Sequence, residues 1–509
     1  MCAAVCVAAA MLSSACGGSK SGVAGADSSG PVDGGRVRVG VVGLNTADLL
    51  SFDSANSGEV LAADLVYDGL TAFSPEEERV VPAIALKWMS ADGVTWTFSL
   101  DPSRTFSDGT PVTATDVVAS LSRVAKAAQI SLTGARLSVI AGADAYVAGT
   151  ADHISGLAAV DAHTVSITTA TPYQELPALL ADPGYGIAPA APAATGSLGV
   201  GSGPFKIAAS APSRVTLDRS SPSLAHVDGI DLRIFATDDD AMAAFDHGEL
   251  DVAPIPSAGK QVDHRHSVSA ALVYLGMNVR SSVMSDVAVR SAVTKALDRA
   301  KIVSTVPNGR ATVADGFVPE VVHSFGQCAK FCASDPKAAS KAFATAFAAA
   351  KPTLALGFLA SDDLNAMATE IQRELEAAGA TVALRPQSAA ELSASLAAGT
   401  DDLILFGSVG VAPTPDPYLA DSFGTGGTEN TSSFSSADVD AALATARATS
   451  NDHDRGIAYA VVERLVLEAA PAIPIASLHH DYATSKNLHG DDPTSGIIFD
   501  GRTVWLSKK

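Results

Sequence analysis

The side chains able to do chemistry are few in this chain, and their spacing argues against most reactions. Histidines cluster only in Asp263-His264-Arg265-His266 and in the pair His479-His480. Structural zinc draws its ligands from recurrent pairs such as Cys-x-x-Cys or His-x-x-x-His, a spacing that neither group has. His264 and His266 therefore read as solvated residues of a polar loop, and no metal ligand is assigned. Neighbours on a strand point to opposite faces, so at most one of His479 and His480 can serve a shared site. The chain has no Gly-x-Ser-x-Gly elbow, no His-Glu-x-x-His and no Gly-x-x-x-x-Gly-Lys loop. Serine hydrolysis, zinc proteolysis and phosphate cradling thus lack their usual carriers. No catalytic residue and no cofactor are expected.

The elements that must position any site belong to a large, acidic chain. At 509 residues it is too long for one compact core, so two or more lobes are expected. Its net charge of −21 repels nucleic acid and anionic head groups, so neither is an expected partner. Residues 2–15 are apolar or small and uncharged, about the length of a secretory h-region and too short to span a bilayer. The Gly- and Ser-rich stretch behind them, to Gly35, reads as a flexible tether. Export places Cys328 and Cys332 in an oxidising compartment. Four residues apart, they come within bridging range if Cys328-Ala329-Lys330-Phe331-Cys332 turns, and a disulfide is expected over the alternative of two free thiols.

Period-two alternation marks strands over 36–41 and 94–100; in Val94-Thr95-Trp96-Thr97-Phe98-Ser99-Leu100 every even position is apolar. Phe106-Ser107-Asp108-Gly109-Thr110-Pro111 then turns the chain. Thr113-Ala114-Thr115-Asp116 opens a helix with Val117, Leu121 and Val124 on one face. Between 353 and 406 strands and helices alternate: 353–358, 362–378, 381–385, 389–396 and 402–406. Crossovers of that length suit a parallel βαβαβ unit. Asp286 is expected to cap a helix and to pair with Arg290 one turn on. Trp88 and Trp96 read as packing residues.

Longer phrases carry a family likeness. Leu12-Ser13-Ser14-Ala15-Cys16-Gly17 resembles a bacterial lipobox, which implies cleavage before Cys16 and a diacylglycerol on its sulfur. Tyr67-Asp68-Gly69-Leu70, Val81-Pro82-Ala83-Ile84-Ala85-Leu86-Lys87-Trp88, Asp92-Gly93-Val94-Thr95-Trp96 and Phe106-Ser107-Asp108-Gly109-Thr110-Pro111-Val112 come first. They are followed in order by Gly201-Ser202-Gly203-Pro204-Phe205, Gly248-Glu249-Leu250-Asp251-Val252-Ala253, Tyr274-Leu275-Gly276-Met277-Asn278, Pro415-Asp416-Pro417 and Ala470-Pro471-Ala472-Ile473-Pro474. The series resembles the extracytoplasmic solute-binding proteins of family 5, the oligopeptide, dipeptide and nickel class of ABC importers.

The resemblance implies a two-lobed α/β fold of the periplasmic-binding-protein type II kind, with an extra subdomain in the first lobe. On that basis residues 1–15 are a signal peptide and 16–35 a lipidated tether. The first lobe is 36–270, with its subdomain at about 56–184, the second lobe is 271–477, and 478–509 return to the first. The hinge is expected at 271–278, returning near 477–482. The implied partners are a peptide or small-molecule solute, the permease subunits of the importer, and the outer face of the cytoplasmic membrane through the lipid on Cys16, with the protein a monomer. A receptor for a metal chelate or other non-peptide solute, and a non-transporting sensor or chaperone on the same fold, are the alternatives. Expected cleft residues are Asn45, Thr46, Asn278, Ser408, Val409, Asp416 and His480. One departure bears on the solute: peptide-binding relatives carry an aspartate for the peptide's ammonium group three residues before an Asp/Glu-Pro pair, and here Pro413 stands in that place. The solute is thus expected to bind without its free amino terminus or not to be a conventional peptide, with Asp416 the nearest substitute acid.

Overall fold

The computed structural model describes residues 30–44, 57–74, 77, 79–127, 132–191, 199–220, 225–256, 265–319, 322, 325–408, 414–491 and 500–507. Cys16, Asn45, Thr46, His264, Val409 and Pro413 lie outside them. Eleven strands form one main sheet, numbered here in chain order: β1 (Arg36–Val42), β2 (Phe205–Ala211), β3 (Arg214–Arg219), β4 (Gly229–Phe235), β5 (Val252–Pro254), β6 (Arg265–Met277), β7 (Ala311–Val313), β8 (Thr353–Leu359), β9 (Thr381–Gln387), β10 (Leu403–Ser408) and β11 (Ala472–Thr484). Their order is β9-β8-β10-β6-β11-β5-β1-β4-β3-β2, with β7 beside β11.

Two buried clusters flank the middle of this sheet. Val37, Val39, Val41, Phe205, Leu217, Ile230 and Leu232 belong to the first, and Tyr274, Leu356, Phe358, Ile371, Leu405 and Phe423 to the second. A third core sits on a separate four-stranded sheet made by Ala85–Met89, Thr95–Leu100, Leu157–Asp161 and Thr164–Thr168. Trp96, Phe98 and Leu100 face inward there, as their alternation requires. Helix α1 (Ala114–Lys126) covers it with Val117 and Leu121, its start fixed by Asp116 Oδ2, which accepts from the Thr113 amide at 2.8 Å and hydroxyl at 2.6 Å. This is the extra subdomain. It and the two lobes give the fold expected from the resemblance.

The long strands β6 and β11 join the lobes, pairing antiparallel from Arg265↔Ala483 to Gly276↔Ala472. Strand β5 flanks β11 only as far as Tyr482. From the other side β7 reaches Leu478 and β10 begins at Leu272 on β6. Between those limits Ser267, Val268 and Ser269 pair with Asp481, His480 and His479, whose backbones are tied to other neighbours by the Ile255 amide donating to the Asp481 carbonyl and the His479 amide donating to the Arg310 carbonyl, each at 2.8 Å, and a register shift between Ser269 and Ala271 falls in this bridge. Bulges bend and twist a ribbon, so this is where a pivot is least resisted. The expected hinge spans 271–278 and 477–482; the part of the ribbon flanked least by other strands is 267–269 with 479–481. Tyr274-Leu275-Gly276-Met277 already lies inside the second lobe, paired with β10.

The βαβαβ unit forms as read, its helices being α3 (Asp362–Ala377), after α2 (Asp238–Asp246) in the chain, and α4 (Ala389–Ala398). Asp286 caps its helix through the Ala288 amide at 2.8 Å. Arg290, however, makes no ion pair with it. The guanidinium is buried and donates to the carbonyls of Met284, Ser285, Ala469 and Ala470 at 2.8–3.0 Å. Four acceptors at a helix end outbid one exposed carboxylate, because each carbonyl would otherwise be buried unpaired.

Candidate functional site

Strand directions place the site. β1 and β4 run parallel, as do β8, β9 and β10, and the register shows the C-terminal ends of both groups facing the bridge from opposite sides. Ligands of open α/β sheets collect at such ends, where backbone polar groups and helix starts are unspent. Helix α2 starts there from the first lobe, with Thr237 capping the Asp240 amide, and α3 starts there from the second, with Ser361 capping Leu364.

Four charged or titratable groups lie within electrostatic reach of one another at this gap. His480 on β11 is exposed to solvent, and charges from both lobes act on it. Burial first and the Arg310 cation second push its imidazole below the ordinary histidine range, against Asp238, Asp363 and Asp481. Arg310, 5% exposed, pairs with Asp363 from α3, its carbonyl accepts from the His479 amide at 2.8 Å, and its Nε is buried with no acceptor. Asp238 comes from α2 of the first lobe; burial raises its carboxyl, with His480 and Arg310 opposing. The arrangement presents charges of both signs from both lobes, and among the described residues there no nucleophile is aligned with a base. Among the described residues no three His, Cys, Asp or Glu side chains are grouped to hold a metal ion.

Of the residues expected from sequence, His480 lies on the bridge and Ser408 ends β10 opposite Leu272, at the rim of the gap. Asn45 and Thr46 follow the end of β1, and Val409 follows Ser408, outside the described residues. Asn278 is elsewhere. It lies six positions beyond Leu272 along β6, roughly 20 Å from the gap, 2% exposed, with its amide donating to Gly399 and Asp401 and its Oδ1 accepting from Arg280. Its role there is to fasten the far end of the second lobe. Asp416, 3% exposed at the start of α5 (Pro415–Phe423), is held by both Nε and Nη2 of Arg447 at 2.7 and 3.0 Å and by the hydroxyls of Tyr173 and Tyr459, each at 3.1 Å. It is spent on these partners. Cys328 and Cys332 form a disulfide with Cα atoms 5.0 Å apart.

Asp238, Arg310 and Asp363 were missed by sequence reading. The two acids carried a signal, since each sits in the first turn of a helix that follows a parallel strand. Arg310 carried none.

Comparison with known proteins bears on the family and the fold. The family described as "Bacterial extracellular solute-binding proteins, family 5 Middle" matches residues 79–430. The glutathione-binding protein GsiB of Shigella dysenteriae is 26% identical over 492 residues, covering 90% of this chain and 93% of its own. The periplasmic murein peptide-binding protein MppA of Escherichia coli is 41% identical over 96 residues, 18% of each chain. The clavulanic acid biosynthesis oligopeptide binding protein 2 superposes with a TM-score of 0.80 at 19% identity, over 94% of this chain and 96% of that one, which is a likeness of fold. Two lobes joined by a two-stranded bridge, with the ordered series of phrases and a match over more than half the sequence, place the chain in family 5 of the bacterial extracellular solute-binding proteins of ABC importers.

Proposed function

We propose that the protein is the lipid-anchored receptor of an ABC importer, closing its lobes on a peptide-class solute and delivering it to a membrane permease. The observation that carries this reading is the meeting of Asp238 from one lobe with Arg310 and Asp363 from the other beside His480. A solute touching both sides gains contacts only when the lobes approach, and that differential affinity drives closure. Lobes of 36–270 and 271–477 with a return at 478–509, adjusted so that the outgoing crossing is 267–269, complete the proposal. Relatives named for a murein peptide and for glutathione support a peptide-class solute.

Because Asp416 is committed to Arg447, it is not available to a peptide ammonium group. With Pro413 standing where relatives carry the aspartate, the proposed solute is one recognised without its free amino terminus, or not a conventional peptide. Calorimetric titration of di- to pentapeptides beside their N-acetylated forms is expected to give dissociation constants agreeing within about threefold. Preference for free amines beyond about tenfold, abolished by Asp416→Asn, would overturn it. For the anchor, Cys16→Ala is expected to release the protein from the membrane fraction of the producing bacterium, since two acyl chains hold where one does not. An unchanged membrane-bound amount rules the anchor out.

A further inference from the structure

Away from the hinge, the extra subdomain meets the second lobe through buried charge. Glu175, which follows Tyr173 and Gln174 on the subdomain side, is 6% exposed. Opposite it stand Asp416 of α5, Arg447 of α6 (Ala437–Ala448), and Arg455 and Tyr459 of α7 (Asp452–Ala469). The Tyr459 hydroxyl lies 2.6 Å from Glu175 Oε2 and 3.1 Å from Asp416 Oδ1. Arg455 Nε is 3.4 Å from Glu175 Oε1, and its Nη2 donates to Asp452 Oδ1 at 2.6 Å. The Gln174 amide donates to the Arg447 carbonyl at 2.8 Å, and Arg136 Nε of the subdomain donates to Asp421 of α5 at 2.8 Å.

Hydrogens can be counted at this junction. Tyr459 has one hydroxyl hydrogen and two carboxylate neighbours. With Glu175 and Asp416 both ionised, that hydrogen serves one and leaves the other facing an oxygen lone pair. With a proton on Glu175, the carboxylic acid donates to Tyr459 and Tyr459 donates to Asp416, whose charge Arg447 balances, so that each of the two hydroxyl contacts has its own hydrogen. We infer that the extra subdomain is clamped to the second lobe by a proton on Glu175, relayed through Tyr459 to Asp416, and that loss of this proton loosens the contact between the lobes.

Electrostatics agree with the count. Burial first and the Asp416 charge second push Glu175 up to about 7, against Tyr459 and Arg455. A carboxyl raised above its ordinary value stabilises the docked state fully below that ordinary value, and the effect fades as pH rises through about 7. A cavity of about 600 Å³ runs beside the junction between Arg136 and Tyr173 on one side and Asp421 and Arg447 on the other. A contact between lobes, placed away from their pivot, biases the equilibrium on which solute capture depends.

The Gln174 amide is the probe, because its acceptor is across the junction. Asp64 and Glu463 are also raised to about 7, so global melting would mix three groups. Hydrogen exchange of the full chain is expected to show the Gln174 protection factor falling roughly tenfold from about pH 5.5 to about pH 8.5, once corrected for intrinsic rates. Glu175→Gln, whose amide donates to Tyr459 at any pH, is expected to keep the high value at both. Tyr459→Phe is expected to give the low value at both. A wild-type protection factor that changes less than about twofold, or a Glu175→Gln protein that falls in parallel with the wild type, overturns the inference.

Discussion

Arg447→Met is expected to lower the free energy of unfolding by about 3–5 kcal/mol, read from the urea midpoint at constant slope. Asp416 is almost fully enclosed, and its two strongest hydrogen bonds come from this one guanidinium. Removing the cation leaves a carboxylate that must stay charged without compensation or take up a proton, and either course is costly in a medium that solvates it poorly. Arg447 also lies over the Tyr173 ring with 5.6 Å between guanidinium carbon and centroid, so its loss opens a packing defect at the subdomain contact. The double replacement Arg447→Met with Asp416→Leu is expected to recover part of the loss, since no charge is left unpaired but the buried Tyr173 hydroxyl loses its acceptor. A single-variant loss below about 1 kcal/mol would mean the pair behaves like a solvated surface bridge.

What could be read in the sequence followed how local the determinants were. The strand over 94–100 and the helix that begins after Ser388 are set by alternation and by a capping box within four residues. Both form as expected, with the Ser388 amide donating to Glu391 at 2.8 Å. The pivot is a different matter. Tyr274-Leu275-Gly276-Met277 is apolar on both faces, which suits an interior strand as well as a crossing. Only the pairing of Leu272 with Ser408 decides between them. Asn278 was placed in the cleft by its position in a family phrase, yet a polar residue ending a buried strand is more cheaply used to hold neighbouring carbonyls. The site draws Asp238, Arg310, Asp363 and His480 from segments far apart in sequence, and no spacing rule joins them. Alternation on a strand limits the histidine pair to one member on a shared face, and the two acids are marked only by their place in the first turn of a helix behind a parallel strand.

Gly201→Ala is expected to cost about 3 kcal/mol or more, the upper range for forcing atoms into a filled space. A β-carbon at Gly201 would sit 2.1 Å from the carbonyl oxygen of Val66, and one at Gly203 would sit 2.7 Å from the Val66 carbonyl carbon and 2.8 Å from the Tyr67 nitrogen. These obstacles are backbone, so no rotamer change relieves them. The phrase Gly201-Ser202-Gly203 is laid against the end of the Ser57–Val66 helix, with the Gly203 amide donating to Val66 at 2.9 Å and the Ser107 amide donating to the Gly201 carbonyl at 2.8 Å. Ser202 Oγ accepts from the Asp68 amide at 3.0 Å and donates to the Ile187 carbonyl at 2.6 Å. Three stretches of chain that lead into, around and out of the extra subdomain thus converge on three residues, which accounts physically for a phrase first noticed as a family likeness. Gly109 supplies the contrast: it needs a φ of +87° but has no atom within 4 Å of a β-carbon position. Gly109→Ala is therefore expected to cost only the left-handed backbone penalty of about 1–2 kcal/mol. A Gly201→Ala protein that unfolds at the wild-type urea midpoint, or loses less stability than Gly109→Ala, would show that close approach at Val66 does not govern this junction.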